Sequence, residues 1–247
     1  LAGRGPQPSA VSFAAALSAC GGGQQWEEAA EIWHEARREA VEPGPVALAA
    51  SIAAADKGHQ WQRALGLLAA GRQDPPPPGP RRVAGNAALS ACGGGQEWER
   101  ALDLLAEFRR TTLEPDEVSF SASAAAAEAA RQWRWALELL LELVAQGTQA
   151  SVITFSTIVS AAEKGSQWRC GLALLKGMSV RRLAPHLACL GAALLACASA
   201  RSWTRAQELL TEMAWRGLRP DVLSYSIVFT EREQLGLCGQ EAALLPS

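Results

Sequence analysis

The sequence predicts an all-α solenoid in which helix-turn-helix pairs stack on one another. Three observations predict this fold: a short phrase recurs along the chain, a tryptophan marks each recurrence at nearly constant spacing, and the composition favours helix. The stretch GHQWQRALGLL at 58–68 returns as GGQEWERALDLL at 94–105 and as GSQWRCGLALL at 165–175. A period between roughly 20 and 50 residues is typical of a repeat array.

Six tryptophans hold the same place in the phrase. Successive members lie 35, 37, 35, 35 and 35 residues apart: Trp26, Trp61, Trp98, Trp133, Trp168 and Trp203. Because every helix pair needs a large apolar residue at the same joint, we expect each of these rings to be mostly buried. The sequence therefore predicts about twelve helices in six stacked pairs and no sheet.

The composition supports helix and argues against several other classes of protein. The 247 residues are 49% hydrophobic and include one tyrosine, and few are β-branched, which argues against sheet. No uninterrupted apolar run approaches the ~18 residues of a membrane helix, so no membrane partner is expected. The formal charge of -2 argues against binding nucleic acid through bulk basicity.

The repeat unit is clearest in VITFSTIVSAAEKGSQWRCGLALLKGMSVRRLAPH at 152–186. Apolar residues at helical spacing in its first half are Ile153, Ile158 and Ala161 or Ala162. The first helix is expected to end at Gly165, a favourable C-terminal residue, and Ser166 to cap the second helix.

The second helix of this unit is predicted from one apolar stripe. Its members are Trp168, Leu172, Leu175 and Met178. The segment RRLAPH should end the helix, because proline disfavours helix in the residue before it. Other repeats close with LEPDE or LRPDV, where Asp116 and Asp221 can cap the following first helix.

These residues resemble the pentatricopeptide repeat family in their period of 35, their VxxF/YS openings, their EKGxxWxxALxLL centre and their GLRPD ending. The resemblance implies a right-handed superhelical solenoid. The rival, the tetratricopeptide repeat, has 34 residues and an early tryptophan in its first helix. The expected segments are a remnant at 1–9, repeats at 10–44, 45–81, 82–116, 117–151, 152–186 and 187–221, and a partial repeat or cap at 222–247.

The second repeat is longer because it contains DPPPPGPRR at 74–82. We expect this run to be extended, as proline-rich segments are. It is interpreted as an insertion in the turn between helix pairs, with a hinge or a partner-binding segment as the alternative.

The resemblance implies single-stranded RNA binding, with about one base per repeat read by side chains. The fifth and last residues of a repeat contact the base edge, and the second residue wedges between bases. The wedge residues are then Val11, Val46, Val83, Val118 and Ile153, with Ala188 a weaker sixth. The base-reading residues are Asn86 with Asp116, Ser121 with Ser151, Ser156 with His186, and Gly191 with Asp221.

Only Asn86 and Asp116 form a full family pair, and the resemblance implies that this pair selects uracil. Alanine and glycine at other reading positions offer no side-chain hydrogen bond, so sequence specificity should be low. Each assignment has an alternative: the wedge aliphatics could be core residues, and the aspartates could be helix caps alone. Lys57 and Lys164 are expected to contact phosphate, although both also suit a helix C-terminus.

Nothing in the sequence predicts an enzyme, a metal site or a cofactor. The three histidines lie in different repeats, and GGGQ at 21–24 and 93–96 lacks the lysine of a phosphate loop. The zinc signature of a deaminase is not found. Cysteines recur six residues before the tryptophan and are interpreted as reduced packing residues: Cys20, Cys92 and Cys197.

The sequence thus predicts a helical-repeat protein that binds single-stranded RNA and assists organellar RNA processing, stability or translation. The alternative is a helical scaffold that binds protein partners without RNA, which the pI near 6.0 favours. By resemblance the compartment is an organelle, chloroplast rather than mitochondrion. Since the first residue is Leu1, we expect a piece of a longer protein whose targeting peptide is not included.

Overall fold

The computed structural model describes residues 9–23, 25–39, 44–71, 78–111 and 113–218. These residues form twelve α-helices and contain no strand, so the all-α prediction is confirmed. The helices are α1 (Ala10–Gly23), α2 (Trp26–Arg38), α3 (Pro45–Lys57), α4 (Trp61–Ala70), α5 (Pro78–Gly94), α6 (Trp98–Arg110), α7 (Glu117–Ala129), α8 (Trp133–Ala145), α9 (Val152–Lys164), α10 (Trp168–Val180), α11 (Leu187–Ser199) and α12 (Trp203–Trp215). No helix in the described ranges is long and apolar enough to cross a membrane.

The chain divides into two compact units, with the division inside α8. The first unit contains α1 to α7 and residues 141–149, and the second contains residues 131–140 and α9 to α12. Within the first unit, α1, α3, α5 and α7 stack in order, while α2, α4 and α6 each contact their own first helix and the next. Within the second unit, α9 contacts α11, and α10 and α12 pack beside them.

Five of the six first helices begin at the first residue of a predicted repeat. They begin at Ala10, Pro45, Glu117, Val152 and Leu187. The exception is α5, which begins at Pro78. The prediction that 74–82 is extended is therefore wrong from residue 78 onward. Proline is tolerated in a first helical turn, because a backbone N–H at that place would have no intrahelical acceptor in any case. Residues 74–77 lie outside the described part.

Helix α9 ends at Gly165 as expected, but the turn that follows differs from the expectation for Ser166. Gly165 has a right-handed φ of -86°, whereas Ser166 adopts the left-handed φ of 54°. The N–H of Ser166 donates to Glu163 and that of Gln167 to Ala162, both at 2.8 Å, which is a Schellman closure. The N-cap of α10 is Gln167, without a side-chain cap, so Ser166 does not cap the second helix.

A tryptophan ring packs closely against the glycine at this position. A Cβ atom on Gly165 would lie 2.3 Å from Cδ1 of Trp133, so the ring occupies the space of a side chain. A Cβ atom on Gly58 would lie equally close to Cδ1 of Trp26, and one on Gly95 equally close to Cδ1 of Trp61. All repeat tryptophans with described side chains are partly buried: Trp26, Trp61, Trp98, Trp133 and Trp168. The side chain of Trp203 lies outside the described residues.

The core of the clearest repeat differs from its predicted stripe. Ile158 is fully buried as expected, but Ile153 is 67% exposed and Phe155 is buried instead. The residue two positions after Ile153 faces the core because side chains two apart on a helix point in different directions. Helix α10 also ends at Val180, well before Pro185, so the proline does not end it.

A left-handed residue after Arg181 ends α10, and its position repeats along the chain. Arg182 has a φ of 58°, while Gly147 and Gly217, each 35 residues away, have φ of 73° and 68°. The left-handed conformation costs a residue with a side chain roughly 1–2 kcal/mol. Replacement by glycine removes this strain, but the gain is partly offset because glycine has greater conformational freedom in the unfolded state. We expect Arg182→Gly to stabilise the chain by about 0.5–1 kcal/mol and to raise Tm by roughly 1–3 °C, as measured by a circular-dichroism melt.

The neighbouring Arg181→Gly variant is the matched control. Arg181 has an ordinary φ of -85°, and its guanidinium lies 5.4 Å from the ring centre of Phe155. Glycine at this position relieves no strain and removes a cation–π contact, so Tm should fall. An equal decrease in Tm for both variants would contradict the strain argument.

Candidate nucleic-acid interface

The second residue of each predicted repeat is exposed on its first helix. The exposed fractions of the five wedge candidates lie between 53% and 77%. They are Val11, Val46, Val83, Val118 and Ile153. Ala188, at the equivalent place in α11, is also exposed. The alternative in which these aliphatic residues are core residues is therefore wrong.

In the first unit these valines form a row on one face. Helices α1, α3, α5 and α7 are stacked neighbours, and Val11, Val46, Val83 and Val118 occupy equivalent places on them. The residues that follow Val118 are buried, Ser119 at 0% and Phe120 at 1% exposure. The helix therefore directs the branched aliphatic outward while its neighbours fill the core. We call these four residues the valine row.

The fifth and last residues of the third repeat meet in space. Nδ2 of Asn86 donates to Oδ1 of Asp116 at 3.2 Å, although 30 residues separate them in sequence. Nε of Arg82 lies 3.1 Å from Oδ2 of Asp116. The stacking of α5 on α7 brings these groups together, because Asp116 immediately precedes α7. Both Asn86 and Asp116 are partly exposed and accessible to a ligand.

Asp116 is also a helix cap, as the alternative interpretation held. Its Oδ1 accepts from the backbone N–H of Ser119 at 2.9 Å, and its own N–H donates to the Ser119 hydroxyl at 3.3 Å. This is a capping box, with serine in place of the usual glutamate. Partial burial raises the pKa of Asp116, but bonds from Ser119 and Asn86 and the charge of Arg82 outweigh it and lower the pKa overall. Asp116 is therefore ionised at neutral pH.

The last residue of the next two repeats caps a helix as well. The Ser151 hydroxyl accepts from the N–H of Thr154 at 3.2 Å, and Nδ1 of His186 accepts from the N–H of Cys189 at 3.2 Å. The His186 ring must therefore keep Nδ1 unprotonated for this cap. These capping hydrogen bonds hold both side chains in place.

The remaining predicted base-reading residues provide fewer available polar groups. Ser121 is partly buried. The Ser156 hydroxyl donates to the Ile153 carbonyl at 2.8 Å within its own helix. A Cβ on Gly191 would meet no atom within 4 Å, so the space beside this residue is open. Asp221 lies outside the described residues.

The two predicted phosphate contacts occupy one helix position. Lys57 is the last residue of α3, where it is exposed, and Lys164 is the last residue of α9, where it is partly buried. Both positions also place a cation at a helix C-terminus, where it interacts favourably with the helix dipole. Lys176 is exposed on the second helix α10 and provides a comparison.

Two polar residues of this interface were missed by the sequence prediction. Ser119 and Arg82 both bond to Asp116, but neither holds a position that the family resemblance assigns to base reading. The available signal for Ser119 was its place three residues after an aspartate N-cap, where a capping partner is common. Arg82 gave no comparable signal, because its contact requires the tertiary stacking of α5 and α7.

The described cysteines are consistent with packing rather than catalysis. Cys20, Cys92 and Cys197 are buried and unpaired. Burial raises the pKa of the Cys92 and Cys197 thiols to about 11, so both are protonated and unreactive at neutral pH. Within the described ranges, no group of three histidine, cysteine or acidic side chains could hold a metal ion.

Comparison with solved structures identifies the fold that these helices form. The pentatricopeptide repeat protein PPR10 from maize has 22% sequence identity and a TM-score of 0.66, over 90% of this chain. The chain has the fold of pentatricopeptide repeat proteins. It spans about a third of the maize protein, 32% of its length. No protein-family model matches the sequence, and no curated protein is similar to it.

Two further structures show the same fold with RNA bound. PPR10 in complex with an 18-nt psaJ RNA element has 16% identity and a TM-score of 0.58, over 98% of this chain and 40% of that one. The PPR domain of Arabidopsis thaliana protein-only RNase P 1, in complex with tRNA, has 14% identity and a TM-score of 0.62, over 74% of this chain and 95% of that one. At these identities the likeness concerns the fold.

Proposed function

We propose that this chain binds single-stranded RNA along the exposed face of its first helices, with weak sequence preference. The exposed branched aliphatics at the second repeat position are the observation that carries this proposal. Soluble proteins scatter exposed apolar residues singly, whereas these recur at one position on successive first helices. Flat, apolar base faces are suitable partners for such residues, since base stacking tolerates any sequence.

The flanking groups support an RNA strand over a protein chain. Asn86 and Asp116 provide a donor and an acceptor beside Val83 and Val118, as a base edge requires. Lys57 and Lys164 are proposed to contact phosphates. The solved complexes of PPR10 and of RNase P 1 with RNA show that this fold accommodates RNA in those proteins.

The function proposed for the bound state is positional: the chain shields a strand or presents it to an enzyme during RNA processing, stabilisation or translation. No catalytic step is assigned to this chain. An organellar compartment, the chloroplast in preference to the mitochondrion, is proposed from the family resemblance alone. The fold does not carry that assignment, since a similar structure is the nuclear proteinaceous RNase P 2 from A. thaliana.

A filter-binding titration with random single-stranded RNA, single-stranded DNA and heparin tests the proposal. RNA should bind in preference to DNA and heparin, and affinity should fall as salt rises because neutralised phosphates release counterions. Two phosphate contacts predict a slope of log K against log salt of about -1.4. Failure to retain RNA at about 50 mM salt would instead favour a protein-binding scaffold.

Lysine variants identify the source of the salt dependence. Replacing Lys57 and Lys164 by glutamine should bring the slope close to zero, because the proposed phosphate contacts are lost. Lys176→Gln removes the same charge from a second helix and should leave the slope unchanged. An equal effect of all three substitutions would mean that net charge, not contact with this face, sets the slope.

A further inference from the structure

A buried hydroxyl lies directly beneath the base-reading pair. Ser119 is 0% exposed, and its Oγ lies 2.6 Å from Oδ1 of Asn86, to which it donates. The same Oγ lies 2.9 Å from Oδ1 of Asp116. Ser119 is the third residue of the repeat after the one that contains Asn86. Because Ser119 is fully buried and Asn86 is partly exposed, the contact is made from the buried side of Asn86.

A count of protons fixes the direction of these bonds. A serine hydroxyl has one proton, and Oδ1 of Asp116 already accepts from two N–H groups, those of Ser119 and of Asn86 Nδ2. The hydroxyl proton therefore goes to Oδ1 of Asn86, which is also the shorter contact. The amide of Asn86 is thus held at both ends, its oxygen by Ser119 and its nitrogen by Asp116.

This orientation determines what the pair presents to a base. Within the described residues, Asn86 has one remaining N–H, and Asp116 keeps acceptor capacity at Oδ2 beside Arg82. A donor beside an acceptor complements uracil and guanine, in which a carbonyl oxygen adjoins a ring N–H. Cytosine and adenine present the opposite order, an amino group beside a ring acceptor. A reversed Asn86 amide would place an acceptor opposite the uracil carbonyl and would remove the preference for uracil over cytosine.

We propose that Ser119 is a positioning residue for base selection, which holds the Asn86 amide in the orientation that favours uracil over cytosine. This role rests on the proposed RNA-binding function. Ser119 touches no base itself and acts through Asn86. The role requires a hydrogen-bonding side chain at the third position of the following repeat, which Ala47 and Ala84 do not provide.

The same spatial relation recurs in the second unit. Cys189 is the third residue of its repeat, is fully buried, and lies within hydrogen-bonding reach of the Ser156 hydroxyl, 33 residues earlier. Ser119 follows Asn86 by the same 33 residues. Thr154, equivalent to Ser119, is also buried. A buried serine, threonine or cysteine thus occupies this place in three successive repeats.

Selection from a pool of random single-stranded RNA, with the full chain and its Ser119 variants, tests the proposal. Ser119→Ala should keep total RNA affinity within about two-fold and reduce the preference for uracil over cytosine at one nucleotide about five-fold, as expected for loss of one hydrogen bond. Ser119→Thr keeps the hydroxyl and should keep the wild-type profile. Side-chain amide exchange of Asn86, followed by NMR without RNA, should be faster in Ser119→Ala.

The outcomes separate this role from RNA binding itself. A wild-type profile in Ser119→Ala with unchanged amide exchange would overturn the positioning role and leave RNA binding intact. No binding of RNA by the wild-type chain would overturn the proposed function and this role with it. If Ser119→Ala does not fold, Ser119→Cys replaces it, since Cys189 shows that a thiol fits. Because a thiol is a weaker donor than a hydroxyl, Ser119→Cys should reduce the preference for uracil over cytosine without abolishing it. A preference equal to that of the wild type would contradict the proposal.

Discussion

Replacing Val46, Val83 and Val118 together with aspartate is expected to weaken RNA binding about 100-fold. Each valine presents more than half of its surface to solvent, and covering it with a base is worth about 1 kcal/mol. Three such contacts amount to about 3 kcal/mol, which is two powers of ten in Kd. Repulsion between aspartate and phosphate acts in the same direction. Fluorescence anisotropy with a labelled random RNA measures the change.

The fold should tolerate these substitutions. Val46 and Val118 are the second residues of α3 and α7, where an acidic side chain interacts favourably with the helix dipole. Exposed substitutions of this kind usually change stability by less than about 0.5 kcal/mol each. A loss of RNA binding with an unchanged Tm would therefore report on the interface and not on unfolding.

A charge-matched control uses exposed aliphatics of the second helices. Leu141, Val144 and Val180 are exposed, and their replacement by aspartate changes the net charge equally. This control variant should lose only a few-fold in affinity, through longer-range repulsion. If both triple variants bind equally weakly, net charge dominates binding and the valine row is not the RNA-contacting surface.

The period of the tryptophans was enough to predict the helices of this chain, because a stacked repeat must place the same large residue at the same joint. Local rules were less reliable. Helix α9 ends at Gly165 as expected, but Ser166 and not the glycine adopts the left-handed conformation, and Gly165 packs closely against Trp133. A sequence does not reveal which of two glycine properties, conformational freedom or small size, a position needs.

Predicting the site required contacts that span a whole repeat. The aspartate cap could be predicted from the order LEPDE, since a cap depends on neighbours in sequence. The bonds from Arg82 to Asp116 and from Ser119 to Asn86 could not, because they form only when α5 and α7 stack. Whether Ile153 faces the core or the solvent was also ambiguous from the sequence, since a branched aliphatic residue suits both a core position and an exposed wedge.

Asn86→Thr is expected to change the base preferred by the third repeat from uracil to guanine. The ionised Asp116 continues to accept from a ring N–H, which uracil and guanine both provide. The shorter threonine leaves room for the larger purine, and the family resemblance implies the same outcome. The expected discrimination is about 1–3 kcal/mol, or roughly five-fold to more than 100-fold, for a well-formed contact. Selection from a randomised RNA pool measures the preference at that nucleotide.

Asp116→Asn separates base reading from helix capping. Asparagine is as good an N-cap as aspartate, so the unfolding free energy should change by less than about 0.5 kcal/mol. If Asp116 only caps α7, the nucleotide profile of this variant should equal that of the wild type. If Asp116 also reads the base, its loss of charge and its new N–H donors should reduce the preference for uracil, which has an N–H at that edge. Unchanged profiles in both Asn86→Thr and Asp116→Asn, with RNA affinity retained, would mean that the valine row holds the strand while this pair of side chains selects nothing.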